Sequence, residues 1–226
     1  MGKILLGNIV NTNAAYLAEK YEIQGVDVSH YQGNIDFDKI EQQGITFAYI
    51  KATEGSSHVD ECFYKNWQAA EKTDMLIGAY HFFSFDSGGD TQAKLYIDTV
   101  GDLSGKLVPV VDVEYYGGNE KNPPDQEVIK EQLAIMLSAL EDYYGKKPVI
   151  YTTYTAYYEY IKNEFDEYPL WIRNVYFSPF IELGRDYTFW QYTDKAILEG
   201  YEGDEKYIDR NVFKGTKEEL EELVVR

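Results

Sequence analysis

The feature that most constrains the fold is a regular alternation of apolar, β-rich segments with helical patterns along residues 23–163. Each apolar segment is short and contains few polar residues, which is typical of parallel strands that helices cover on both faces of a sheet. The strands are predicted at 23–29, 45–51, 76–82, 107–114 and 148–153, and the helices at 37–43, 59–73, 91–100, 123–144 and 156–163. The pattern therefore predicts five consecutive β–α units.

The alternation stops after Pro169. Three further strands are predicted at 170–174, 188–193 and 207–213, followed by a terminal helix at 216–224. No linker-like, low-complexity or repeated segment divides residues 23–226. These features predict a single α/β domain, an irregular TIM-barrel-like barrel in which three strands close five β–α units. We interpret residues 1–22, which precede this pattern, as the remnant of a leader or linker.

The charge of the chain excludes several classes of partner. Acidic side chains number 39 and basic ones 21 among the 226 residues, which gives a formal net charge of −18. Such a chain repels phosphate backbones and anionic headgroups, so we expect no nucleic-acid partner. The longest apolar runs fall far short of the ~20 residues that span a bilayer, so we expect no membrane insertion. Cys62 is the single cysteine, which excludes a disulfide within the chain, and no Cys/His cluster has zinc-site spacing.

Acidic residues interrupt the apolar strands at the end where barrel enzymes place their functional groups. Asp27 lies in the first strand, Asp112 and Glu114 end the fourth, and Asp209 lies in the last. Residues two apart in a strand point to the same face, so the Asp112 and Glu114 side chains start about 6–7 Å apart. Two carboxyls at this separation raise the pKa of one of them, which can then act as a general acid beside an ionised partner. This pattern favours glycoside hydrolysis.

Other uses of these acids stay open at this point. Asp112 and Glu114 could form ion pairs or cap the loop that follows the strand. The four strand-end acids together could also supply oxygen ligands to a hard cation. Nearby, we interpret Lys51 and Glu54 as a structural pair or turn contact.

Six segments, in order along the predicted strands, resemble the motifs of glycoside hydrolase family 25, the N-acetylmuramidase lysozymes. They are GVDVSHYQG at 25–33, FAYIKATEG at 47–55, GAYHF at 78–82, PVVDVE at 109–114, FWQYT at 189–193 and YIDRNVF at 207–213. The resemblance covers about residues 23–213, nearly the whole predicted domain.

The resemblance implies a flattened (β/α)5(β)3 barrel that hydrolyses the β-1,4 bond between N-acetylmuramic acid and N-acetylglucosamine in peptidoglycan. It implies that Glu114 is the catalytic general acid/base, that Asp112 assists the 2-acetamido group of the substrate, and that no metal or organic cofactor is needed. The remaining site candidates are Asp27 and Asp209 as supporting acids, Tyr80 and Trp190 as groove-lining aromatics, Tyr192 from the same motif as Trp190, and Tyr151 from the functional end of the fifth strand.

Two rival functions stay open: a non-catalytic glycan-binding module, and a glycosidase that acts on another amino-sugar polymer such as chitin. The presence of both Asp112 and Glu114 argues against the first, because binding alone does not need an acid with a raised pKa. For a peptidoglycan hydrolase we expect a glycan strand as partner, a monomeric chain and an extracellular or wall-associated location. The loop at 194–206 is longer and more acidic than the resemblance leads us to expect, so it could alter one end of the groove.

Overall fold

The fold is built on strands that close into a barrel. The structure is a computed structural model, and it describes residues 14–179 and 183–226. The strands are β1 (Ile23–Val28), β2 (Phe47–Glu54), β3 (His58–Val59), β4 (Leu76–Phe82), β5 (Val110–Val113), β6 (Val149–Thr153), β7 (Leu170–Arg173), β8 (Phe189–Ala196) and β9 (Ile208–Phe213). All of them except β3 belong to the barrel wall.

The barrel strands are parallel from β1 through β8. Strand β9 runs antiparallel between β8 and β1 and so closes the ring, while β3 forms a short hairpin with β2 outside it. The predicted barrel of five β–α units and three further strands is confirmed. Because β9 is reversed, its first residues lie at the rim where the parallel strands end.

Helices cover the strands from the outside. They are α1 (Phe37–Gln42), α2 (Phe63–Ala70), α3 (Gly89–Val100), α4 (Gln126–Tyr144), a short α5 (Tyr154–Ala156) that continues as a π-helix at Tyr157–Ile161, and α6 (Lys217–Glu221). The long helix α4 begins where Asp125 accepts hydrogen bonds from the backbone N–H groups of Glu127 and Val128, and it ends at Gly145 in the left-handed conformation. Among the helices of the described residues, none has the length and apolar content needed to cross a bilayer.

Several predicted boundaries differ from the structure for local reasons. The helix predicted at 59–73 starts only at Phe63, because His58 and Val59 pair with β2 and Asp60 then turns the chain by accepting a hydrogen bond from the Cys62 N–H. Strand β8 extends to Ala196, beyond the predicted 193, because β9 continues to pair with it through two irregular steps. Strand β5 stops at Val113, so Glu114 is the first residue past it.

Aromatic rings fill the lower part of the barrel and form the floor under the rim. Two glycines make room for them: a Cβ atom on Gly25 would lie 2.3 Å from the Phe47 ring, and one on Gly78 would lie 2.3 Å from the Tyr49 ring. Any larger residue at these positions would therefore displace the floor. The rings in mutual contact are Phe47, Tyr49, Trp171 and Phe189.

The described part of the predicted leader packs against the barrel. Residues 14–18 are helical, and Ala14 and Ala18 are buried in the hydrophobic core. The Gln24 amide donates to the carbonyl oxygens of Ala18 and Tyr21, and the Tyr21 hydroxyl lies 2.7 Å from that of Tyr187. The rest of the predicted leader, residues 1–13, lies outside the described residues.

Candidate active site

A cavity of about 340 Å³ opens at the carboxyl ends of the parallel strands. All four acids that the sequence places at strand ends line it: Asp27, Asp112, Glu114 and Asp209. Asp209 reaches this rim because it starts the antiparallel strand β9, where it pairs with Asp27. Within residues 14–179 and 183–226, no group of three or more His, Cys, Asp or Glu residues is arranged to hold a metal ion.

Asp112 and Glu114 form the centre of the cavity. Asp112 is only 7% exposed, and its Oδ1 atom is buried without a hydrogen-bond partner. Burial raises the pKa of Asp112 well above its usual range, and the neighbouring charge of Glu114 raises it further. Burial also raises the pKa of Glu114, while the positive charges of Arg173 and Lys51 oppose the rise. Both carboxyls therefore keep their protons to higher pH than free carboxyl groups do.

Asp27 and Asp209 form a second carboxyl pair. The Oδ2 atom of Asp27 accepts hydrogen bonds from the side-chain amides of Asn211 at 2.7 Å and Gln191 at 3.0 Å. Burial raises the pKa of Asp27, and these two hydrogen bonds counteract the rise. Burial and the charge of Asp27 raise the pKa of Asp209 to about 9, so Asp209 keeps its proton and hydrogen-bonds Asp27. The amides of Asn211 and Gln191 thus favour the ionised form of Asp27.

Two cations balance this concentration of acid, and each has its own carboxylate partner. The Nζ atom of Lys51 lies 2.7 Å from Glu54 Oε2 and 4.9 Å from the centre of the Phe82 ring. The predicted Lys51–Glu54 pair is confirmed, and Lys51 also lines the cavity. On the opposite wall, the Nη2 atom of Arg173 donates to Asp194 Oδ2 at 2.6 Å.

Tyrosines and one tryptophan provide the apolar lining. Tyr80 and Tyr151 line the cavity as predicted, and Trp171 forms part of its floor. The Tyr151 hydroxyl donates to Gln191 Oε1 at 2.9 Å. Burial, followed by the surrounding negative charges, raises the pKa of both phenols well above 10, so both hydroxyls remain protonated.

Trp190 and Tyr192, which the sequence predicts as substrate contacts, lie away from the cavity in the structure. Trp190 is fully buried behind the sheet, where its indole N–H donates to the Asn174 carbonyl at 2.8 Å. Tyr192 is 5% exposed, and its hydroxyl donates to Gln24 Oε1 at 3.2 Å. Neither ring lines the cavity. Successive residues of a strand face opposite sides, and in this motif Gln191 faces the cavity.

Four polar residues at the site were not predicted from the sequence. Gln191 and Asn211 lie inside motifs that were recognised, and the two-residue alternation from the cavity acid Asp209 would have identified Asn211. Arg173 and Asp194 had no such signal, because their ion pair joins two strands whose register is not visible in the sequence.

The long acidic loop between β8 and β9 lies against the connection from β1 to α1. The Glu205 N–H donates to the Tyr31 carbonyl, and the Gln32 amide donates to the Tyr207 carbonyl, both at 3.0 Å. Gly203 fits so closely that a Cβ atom there would lie 2.1 Å from the Tyr31 carbonyl oxygen. Tyr31, Glu205 and Tyr207 line the cavity, so the loop forms one of its walls.

The barrel, the buried carboxyl pair at the strand ends and the tyrosine-lined cavity define a glycoside hydrolase of the β/α-barrel class. A model of glycosyl hydrolases family 25 matches residues 26–201, and the chain belongs to this family. The resemblance found in the six sequence motifs is thereby confirmed.

The similar proteins of known structure share both the fold and the class. A family 25 glycosyl hydrolase from Bacillus anthracis is 50% identical with a TM-score of 0.86, over 91% of this chain and 94% of that one. A bacterial lysozyme from Streptomyces coelicolor is 28% identical with a TM-score of 0.79, over 89% of this chain and 96% of that one. Lysozyme M1 of Streptomyces globisporus is 30% identical over 220 residues, which cover 90% of this chain and 71% of that protein. The prediction of a lysozyme-type glycoside hydrolase is confirmed.

Proposed function

We propose that this chain cleaves the β-1,4 bond between N-acetylmuramic acid and N-acetylglucosamine in peptidoglycan by acid/base catalysis at Glu114. The observation that carries the proposal is the buried pair of Asp112 and Glu114 at the barrel rim, where burial raises the pKa of both carboxyls. A general acid needs a raised pKa to keep its proton, and a partner that ionises beside it stabilises the developing positive charge at the sugar. Membership of the family and similarity to lysozymes support the choice of substrate.

In the first step, Glu114 donates its proton to the glycosidic oxygen as the bond from that oxygen to C1 breaks. The carbonyl oxygen of the substrate's own 2-acetamido group attacks C1, and Asp112 accepts a hydrogen bond from the amide N–H. The unpartnered Oδ1 atom of Asp112 is available as this acceptor. In the second step, Glu114, now ionised, takes a proton from the water that opens the cyclic intermediate.

The remaining cavity groups hold the sugar. We assign Asp27 and Asp209 to hydrogen bonds with the substrate, since Asp209, with its pKa raised to about 9, carries a proton that it can donate, and the Asp27 carboxyl accepts hydrogen bonds. Tyr80 and Tyr151 offer an apolar ring face with a protonated hydroxyl, which suits the mixed surface of a sugar ring. We also propose that the protein acts as a monomer on walls outside the cytoplasm, a location that similarity to lysozymes supports.

The test is the loss of turbidity of purified cell walls. Glu114→Gln removes the proton donor but keeps the shape, and should lower the rate by about 10²–10⁴-fold. The matched control is Glu131→Gln, which makes the same change at an exposed position of α4 and should clear walls like the wild type. Equal clearing by wild type and Glu114→Gln would refute the assignment.

The products test the bond and the route separately. Mass spectrometry of the released fragments should show muramic acid at the new reducing end, whereas N-acetylglucosamine there would assign the other linkage. Proton NMR of the first-formed anomer should show the β form, because attack by the acetamido group followed by water retains configuration. A first-formed α anomer would exclude the acetamido route.

A further inference from the structure

The ion pair between Arg173 and Asp194 has no assigned part in the proposed reaction. The Arg173 guanidinium donates to one oxygen of Asp194 at 2.6 Å, and each side chain is 32% exposed. The other oxygen, Asp194 Oδ1, is buried without a hydrogen-bond partner, and Asp194 lines the cavity. The pair therefore lies at the edge of the site and holds the guanidinium in one orientation.

The strand register places Arg173 at the same level of the barrel as Glu114. Asp112 is level with Tyr151 on β6, and Tyr151 is level with Trp171 on β7. Glu114 lies two residues beyond Asp112, and Arg173 lies two residues beyond Trp171, so both point into the barrel one pleat nearer the rim. Only β6 separates their strands, a backbone distance of about 10 Å that an arginine side chain can largely bridge.

We propose that Arg173 is a positioning residue of the reaction, which Asp194 orients and which acts on the Glu114 carboxyl from across β6. Lys51, the cation on the opposite wall, is already bound to Glu54 and the Phe82 ring. Asp194 belongs to the same unit, because its charge offsets that of Arg173 and its hydrogen bond fixes the direction of the guanidinium.

The chemistry explains why a cation is needed there. Glu114 has to be protonated in the first step and ionised in the second, while burial and neighbouring acids favour the protonated form throughout. A fixed positive charge favours the ionised form that activates water. Besides Asp194, the ionisable groups of the described residues that line the cavity with Glu114 are the acids of β1, β5 and β9, the lysine of β2, the phenols of β4 and β6, and the groups of the two adjoining loops: Asp27, Asp112, Asp209, Lys51, Tyr80, Tyr151, Tyr31, Glu205 and Tyr207.

This inference rests on the proposed function, and the two members of the pair allow a test with opposite signs. The measurement is kcat/KM against pH on purified walls, whose alkaline limb reports the ionisation of the general acid. Arg173→Gln removes a positive charge and should move that limb to higher pH by about one unit. Asp194→Asn removes a negative charge and should move it to lower pH. The double variant should return close to the wild-type limb, and Arg173→Lys, which keeps the charge, should stay near it.

A merely structural pair would behave differently. Both single variants would then lower kcat/KM without moving the alkaline limb, or would move it in the same direction, and either result would overturn the inference. Titration of the Glu114 carboxyl by ¹³C NMR, assigned by its absence in Glu114→Gln, reads the same shifts without turnover. If the wild type clears no walls but the carboxyl still titrates with opposite shifts in the two variants, the proposed function fails and the influence of Arg173 on Glu114 stands.

Discussion

Strands β5 and β8 both carry recognisable family motifs, yet they use them in opposite ways. In β5 the acidic residue Asp112 faces the cavity, and the valines on either side face the covering helices. In β8 the conspicuous aromatic residues Trp190 and Tyr192 face away from the cavity, and the amide of Gln191 between them faces inward. The same alternation of side chains thus turns the acidic residue towards the cavity in β5 and the aromatic residues away from it in β8.

The comparison shows that a motif identifies a strand, whereas the pleat decides which of its residues reaches the substrate. Gln191 connects two parts of the site, since it donates to Asp27 and accepts from Tyr151. Trp190 instead connects β8 to the chain after β7 through the Asn174 carbonyl. Variants in the two strands should therefore separate activity from stability.

The largest effect on the rate of wall clearing is expected from a substitution in β5. Asp112→Asn should lower the rate of wall clearing by about 10²-fold or more, because the amide cannot carry the charge that supports the reaction. The free energy of unfolding should stay equal or rise, since the variant removes a buried carboxyl whose Oδ1 atom has no hydrogen-bond partner. Clearing assays and denaturant unfolding of the same preparation check both. If Asp112→Asn loses stability but clears walls at the wild-type rate, the role of Asp112 is structural and not catalytic.

The corresponding substitution in β8 should reduce stability and leave substrate binding nearly unchanged. Trp190→Phe removes the hydrogen bond to Asn174 and leaves a gap behind the sheet, so it should lower the free energy of unfolding by about 1–3 kcal/mol. The KM of the folded protein should change less than twofold, because the ring does not line the cavity. Tyr80→Leu is the matched variant on the cavity side, and it should raise KM with a smaller loss of stability. A marked rise in KM for Trp190→Phe would restore Trp190 as a substrate contact.

Much of the fold could be predicted because its strands are continuous apolar runs separated by helices. The antiparallel direction of β9 could not be read from its residues, although it brings Asp209 to the rim. The hairpin strand β3 was not predicted, and its residue Val59 was assigned to the following helix, because a strand of two residues carries too little periodic signal. The four acids were found because a carboxylate in a buried strand is conspicuous. Arg173 and Asp194 were missed because their meeting depends on strand register and on side-chain reach.

A smaller effect, on the pH dependence of stability, is expected in β9. This strand carries Asp209 of the second carboxyl pair. The folded protein raises the pKa of Asp209 to about 9, so it retains a proton that the unfolded chain releases above about pH 4. The stability that this group contributes is therefore complete below about pH 4 and declines as the pH rises towards 9. Asp209→Asn should reduce this decline, and denaturant unfolding at pH 5, 7 and 9 measures it. An equally steep decline in the variant would assign it to other groups.

The smallest expected effect is on the rate of wall clearing, and it comes from the acidic residues that lie outside the cavity. The net charge of −18 repels a wall that is itself anionic, whereas the acids of β5 act only on a substrate already bound. Raising the salt concentration to 0.1–0.15 M shortens the Debye length to about 8–10 Å, so clearing of intact walls should become a few times faster than at low salt. The rate on a soluble, uncharged fragment of the glycan should hardly change, because no long-range repulsion opposes its entry. If salt only slows the clearing of walls, local cations near the cavity outweigh the net charge, and Arg173 and Lys51 are the first to test.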